Sequence, residues 1–170
     1  VLPTVLREVT YDDTLTNSWT VPGCVETITV QVWGGGGGGA GADLSGSDSG
    51  AGGGGAFSQS VFSVTQGDVH QLSVGAAGTA AWNEIGGTGG DSWFMTPFTL
   101  MAKGGTGGIR ITPNPAVTGE DGSGGIGGQA YAGYGQIKWS GGNGGTGGQG
   151  AWMGGGGGSS AGYFEDGRDG

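Results

Sequence analysis

The sequence predicts a mainly β fold without α-helix, in which short antiparallel strands and a hairpin join a packed bundle of polyglycine II-type extended helices. Three observations carry this prediction. Gly occupies 48 of the 170 positions, a load that defeats an α-helix because each interior Gly costs about 1 kcal/mol relative to Ala. Apolar residues alternate with polar ones in short runs, the period of a half-buried strand. The glycine tracts between those runs repeat with a period of three.

The elements follow in chain order. Residues 1–17 form an extended arm, in which Val5, Arg7, Val9 and Tyr11 share one parity and could add as a strand to a neighbour's sheet. Residues 18–170 form a single glycine-rich domain. Trp19-Thr20-Val21 is a short strand running into the Pro22-Gly23 turn. Ile28, Val30 and Val32 alternate with Thr27, Thr29 and Gln31, giving a strand with one apolar face. Phe62 and Val64, then His70, Leu72 and Val74, flank Gln66-Gly67-Asp68 and predict the hairpin. Two weaker strands are placed at Phe98, Leu100 and Ala102, and at Ile137 and Trp139 around Lys138. The opening Val1-Leu2-Pro3 has neither an initiator Met nor a signal sequence and reads as a processed product or a fragment.

Between the strands, Gly34–Gly39, Gly52–Gly55 and Gly154–Gly158 are pure glycine. Residues 86–90, 104–108 and 124–128 share the form GGXGG, and 141–149 is three GGX triplets in succession. This period matches the left-handed extended helix with three residues per turn and a rise of ~3.1 Å, so the triplets would span roughly 28 Å. With no Cβ on two of its three edges, such a helix can approach its neighbours closely enough for backbone N–H and Cα–H groups to reach their carbonyls. The pure-glycine tracts are expected inside the bundle. The GGX tracts are expected at its rim, with Thr88, Thr106, Asn143, Thr146 and Gln149 pointing outwards. A flexible linker is the competing reading of any Gly-rich tract, but linkers do not interleave regularly with aromatic strands.

Composition and charge exclude several functions. A net charge of −9, from 14 acids and 5 bases, opposes binding to nucleic acid or to an anionic membrane surface. No apolar run approaches the length of a membrane span. Cys24 is the single cysteine and cannot make an internal disulfide; it is expected as a buried thiol, with a bond to another subunit as the alternative. His70 is the single histidine, expected on a strand with its ring hydrogen-bonded, and no nucleophile or orienting acid is evident beside it. The segment Asp43–Gly50 spaces oxygens like part of a calcium loop but lacks the terminal Glu. Neither metal nor cofactor is expected, and no enzymatic activity.

Three segments resemble the glycine-rich domains of bacteriophage tail fibres, minor tail proteins and receptor-binding adhesins. Trp19-Thr20-Val21-Pro22-Gly23-Cys24-Val25, with Val30-Gln31-Val32-Trp33 and the hexaglycine, is similar to the family's opening, although Gly23 and Cys24 depart from its usual order. Val64-Thr65-Gln66-Gly67-Asp68 with Leu72-Ser73-Val74-Gly75-Ala76 resembles its hairpin, with Gln66 where Pro is usual. Gly89-Gly90-Asp91-Ser92-Trp93-Phe94, running to Ala102-Lys103-Gly104-Gly105, resembles a third family segment. The resemblance implies small β elements joined to a sandwich of polyglycine helices, a place in a virion or outside the cell, and end loops that contact a host surface.

The candidate binding residues are aromatics set among small residues: Trp82, Tyr131, Tyr134, Trp152 and Tyr163, the last followed by Phe164. Exposed rings beside polar groups suit sugars or protein surfaces. The same rings could instead cap the open ends of the bundle. The Pro-bearing loop Ile111–Ala116 is a second presentation site. The expected partners are a bacterial cell-surface glycan or envelope protein, or other copies of the chain in a larger assembly. A row of Thr88, Thr106 and Thr146 would suit ice, a third and minor reading.

Overall fold

The computed structural model describes residues 7–14, 16–41, 48–82, 85–111, 122–147 and 155–170. The strands are β1 (Thr16–Thr20), β2 (Thr27–Trp33), β3 (Asp48–Ser49), β4 (Phe57–Ser63), β5 (Val69–Ser73), β6 (Ser92–Phe94), β7 (Leu100–Ala102), β8 (Arg110–Ile111) and β9 (Ile137–Trp139). Among the described residues the only helical turn is a 3-10 turn at Ala130–Ala132. The fold is mainly β, as the glycine load requires. Among the described residues, one sheet has the order β1-β5-β6-β7, a second β2-β4-β9, and β3 pairs with β8. All pairings are antiparallel.

The two larger sheets face each other. Leu72, Phe94 and Leu100 lie side by side across β5, β6 and β7 and form the buried centre, with Ile28, Val30, Val32 and Phe62 of the facing sheet packed on it. The Phe62 and Phe94 rings meet across the gap at 5.7 Å. Along each strand the inward residues shrink towards the adjoining glycines. Phe62, Ser60, Ser58 and Ala56 succeed one another on β4 and the residue before it, Phe94, Ser92 and Gly90 from β6 into the chain before it, and Leu100, Ala102 and Gly104 from β7 into the chain after it. A core of tapering side chains is a wedge. The buried hydroxyls at its narrow end are bonded: Ser58 Oγ donates to the Met101 carbonyl at 2.8 Å, and Ser92 Oγ accepts from the Gly75 N–H at 2.9 Å.

Beyond the taper the strands run on as glycine segments, and the sheets converge. Side chains hold packed sheets ~10 Å apart, whereas backbone pairing needs only ~4.8 Å. Within each layer the pairing continues: segment 34–40 bonds to 50–56, which bonds to 140–147, in the same order as β2-β4-β9. Between layers the backbones now bond directly. Gly35 N–H donates to Gly90 O at 2.9 Å, and Ala56 N–H to Lys103 O at 2.9 Å. The donors recur at every third residue: Gly34, Gly37 and Ala40 donate to the carbonyls of Ala56, Gly53 and Gly50. A three-residue step turns successive N–H groups towards different neighbours, so one segment can serve several.

Glycine is needed here for space. Among the described glycines only Gly67 and Gly135 have positive φ, so the glycine segments adopt backbone angles open to any residue. A Cβ on Gly34 would overlap the Lys103 carbonyl, one on Gly53 the Ile126 carbonyl, and one on Gly54 the Ser159 carbonyl. Gly52–Gly55 are all buried, and Thr88, Thr106, Ile126, Asn143 and Thr146 are all exposed, as the GGX pattern predicts. Rim side chains also bond outward backbone groups. Thr106 Oγ1 accepts from the Ile126 N–H at 2.7 Å, Asn143 Oδ1 from the Gly127 N–H at 3.0 Å, and Asp91 Oδ1 from the Gly104 N–H at 3.0 Å, while Asp91 Oδ2 pairs with Lys103 Nζ.

Three expectations are corrected. The hairpin does not form: β4 lies in one sheet and β5 in the other. Its turn does form, with Gly67 at φ +87°, but it carries the chain across the sandwich and is held by Val21, whose N–H donates to Asp68 O and whose carbonyl accepts from Gly67. Second, Phe98 is outside β7 and Met101 within it is buried beside Leu100 and Ala102, because β7 is covered on both faces. Third, the last pure-glycine tract is not interior. Gly156 and Gly157 are exposed, since among the described residues segment 155–161 makes backbone bonds only with 49–56, 140–147 and 165–168. Gln149 and Gly154 lie outside the described residues.

Candidate functional site

The predicted aromatics are divided between the two ends of the molecule. Segment 75–81 runs parallel to 34–40, with Gly78 and Ala81 donating to Gly36 and Gly39, so Trp82 stands where the glycine segments end, away from the sandwich. It is 79% exposed. The small β3–β8 pair lies at this end too, since Gly50 N–H donates to Ile109 O. Trp152 and residues 112–116 of the Pro-bearing loop lie outside the described residues.

Tyr131 and Tyr134 sit at the sandwich. Tyr131 is on the 3-10 turn, 82% exposed. Tyr134 exchanges both backbone hydrogen bonds with Met101, at 2.8 and 2.9 Å, which extends the β7 edge and fixes the Tyr134 ring edge-on to Phe98 at 5.8 Å. Phe98 is 76% exposed and lies in a turn, not in the strand its alternation with Leu100 and Ala102 predicts. Pro97 directly before it was the signal for a turn. Phe98 and Tyr134 therefore form an exposed aromatic pair.

Tyr163 has a different setting. Trp33, Phe57 and Trp139 face one another across β2, β4 and β9 at the level where strands give way to glycine. The Tyr163 ring stands edge-on to Trp33 at 5.2 Å and to Phe57 at 5.8 Å. Two indole N–H groups hold the chain that carries it: Trp33 Nε1 donates to Ala161 O and Trp139 Nε1 to Tyr163 O, each at 3.2 Å. Tyr163 thus covers an aromatic row while remaining half exposed, and Phe164 beside it is freely exposed.

Catalytic chemistry finds no assembled groups among the described residues. None has three or more His, Cys, Asp or Glu side chains placed to hold a metal ion. His70 is on β5 as expected, its ring stacked near Trp19 at 6.3 Å and tilted against Phe94 at 5.5 Å. Its Nε2 is buried without a hydrogen-bond partner among the described residues, contrary to the expected bonded ring, because the rings of Trp19 and Phe94 lie against it. Cys24 is a free, exposed thiol, not a buried one. It occupies the turn between β1 and β2 at φ +64°, which leaves it outside the sandwich. The threonine row also fails: Ile126 stands on the segment between those of Thr106 and Thr146, and the Thr106 hydroxyl is engaged with it.

Residues 12–170 match the family model for a glycine-rich domain, and the chain belongs to that family. Comparison with curated proteins gives no match. Among the described residues no helix is long and apolar enough to cross a membrane.

Proposed function

We propose that the glycine segments form one polyglycine II bundle, and that the chain is a non-enzymatic component of a phage tail fibre or virion that presents loops for attachment to a bacterial surface. The three-residue ladder of backbone bonds, running through segments that continue both sheets, is the observation that carries this reading. Such a lattice holds its end loops on a rigid frame, the arrangement recognition loops need. The likeness of the Trp19–Trp33 and Gly89–Gly105 segments to phage adhesins favours a bacterial glycan or envelope protein as partner, and a virion or extracellular setting.

Trp82 at one end and the Phe98–Tyr134 pair at the other are separate contact surfaces on this reading. Trp82→Ala is expected to weaken attachment of the purified domain to host cells or envelope glycans by about 2 kcal/mol if it is a central contact, with the melting temperature unchanged. Tyr134→Ala distinguishes the second surface. Binding that survives both substitutions would leave only an architectural role.

A second reading is a self-assembling subunit of an extracellular filament or surface layer, with residues 1–17 as the arm and 18–170 as the body. Its support is the exposure of residues 7–14, including Val9 at 62%, directly before the edge strand β1. Removing residues 1–16 is expected to abolish filament formation, as seen by electron microscopy, and unchanged filaments would refute the arm's role.

A further inference from the structure

Among the described residues, segment 50–56 is enclosed on all but one side. Segments 34–40, 103–109, 122–128, 140–147 and 155–161 each bond to it, and each bonds to the next in that order. No bond joins 155–161 back to 34–40 among the described residues. Close-packed rods have six neighbours, so one position is left unfilled by the described residues. The unbonded groups agree with the gap. Every carbonyl from Gly50 to Ala56 accepts a backbone N–H, whereas the N–H groups of Gly52 and Gly55 meet no acceptor among the described residues, although both residues are buried. Buried N–H groups are rarely left unpaired. On one flank, Gly36 and Gly39 also have N–H groups without an acceptor among the described residues.

On the other flank stands Gly157. It is exposed, its φ is not positive, and a Cβ there would meet nothing within 4 Å among the described residues. The described fold therefore gives no reason for glycine, which costs more backbone entropy on ordering than any other residue. Around much of the rim, side chains such as Asp91, Thr106 and Asn143 bond the outward N–H groups; among the described residues this face has no such side chain.

We infer that this vacancy is an interface with a second copy of the chain, in which segment 155–161 of each copy fills the gap of the other. The pairing is self-complementary because the gap borders segment 155–161 itself, so a two-fold rotation exchanges the segment and the vacancy, as an isologous dimer requires. Segment 155–161 carries no charge, which lets two chains of net charge −9 approach along it. Phe164, 88% exposed at the end of the same segment, supplies an apolar anchor. This inference rests on the polyglycine reading proposed above and is independent of the N-terminal arm.

Sedimentation equilibrium on the full chain, on Gly157→Val and on Thr88→Val as a rim control tests it. The full chain and Thr88→Val are expected to form dimers. Gly157→Val is expected to dissociate at least about tenfold more readily, a difference of about 1.4 kcal/mol, while melting like the parent. A chain that stays monomeric at every soluble concentration, masses that grow beyond two copies, or a Gly157→Val protein that associates as tightly as the parent would each overturn the inference. Gly53→Ala separates the two levels: if it melts like the parent, the polyglycine reading fails with the interface, and if it unfolds while Gly157→Val still dimerises, only the interface fails.

Discussion

Replacing Gly53 by Ala is expected to destabilise the domain by about 3 kcal/mol or more, the upper range for overpacking a close-packed interior. The added carbon would overlap the Ile126 carbonyl, and relief requires moving segment 122–128. That segment is fixed by bonds to 50–56, 103–109 and 140–147, so the displacement propagates. Backbone angles are not the obstacle, since Gly53 does not have positive φ. In an open position the same change would stabilise by about 0.4–1 kcal/mol through the unfolded chain, so the sign reports whether the site is packed. Denaturant melts of Gly53→Ala and of the rim control Thr88→Ala decide it, with the control expected within about 0.5 kcal/mol of the parent. A Gly53→Ala protein as stable as the parent would mean that the segments do not pack backbone to backbone.

Much of this architecture was legible in the sequence because two periods coexist in it. The alternation of Ile28, Val30 and Val32 fixes an inward face, and the GGX triplets fix an outward one, as the exposed Thr88 and Asn143 show. Strand pairing was less legible. Val64 and His70 flank a sound turn, but a turn specifies the reversal of the chain and not whether it stays within one sheet. Here the edge of β5 is taken by β1 and that of β4 by β2, a choice made by residues far from the turn in sequence. The taper from Phe94 through Ser92 to Gly90 was present in the sequence and announces the convergence of the sheets; reading each strand for parity alone conceals the gradient of size.

The candidate aromatics were harder, because sequence shows that a ring has small neighbours without showing which end of the molecule its loop occupies. Trp82 follows a segment running away from the sandwich, and Tyr163 follows one running towards it, for 155–161 is parallel to 50–56. Their separation is set by chain direction. The exposure of Gly157 was likewise illegible, as a pure-glycine tract looks the same inside a bundle and at its surface.

Phe57→Ala is expected to cost about 3–5 kcal/mol, the usual range for removing a buried aromatic ring. Few large side chains share the load: among the described residues, Phe57, Leu100 and Val21 are the largest fully buried apolar ones. Against a total stability of roughly 5–15 kcal/mol, such a loss brings the domain close to unfolding. Phe57 also stands where a packed core gives way to packed backbone, with Trp33 at 5.0 Å and Tyr163 at 5.8 Å. Removing it leaves a space beneath Tyr163 that glycine neighbours have no side chains to fill. The loss should therefore be coupled to Tyr163. In a double-mutant cycle, Phe57→Ala and Tyr163→Ala are expected to depart from additivity by about 0.5–1.5 kcal/mol, the worth of an aromatic pair beyond its buried area. Near-ultraviolet circular dichroism of the indoles provides a second reading, because Trp33 and Trp139 hold the 161–163 chain through their N–H groups and lose their fixed setting when it lifts. Additive costs with an unchanged indole signal would show that Tyr163 rests on the sheet without helping to close it.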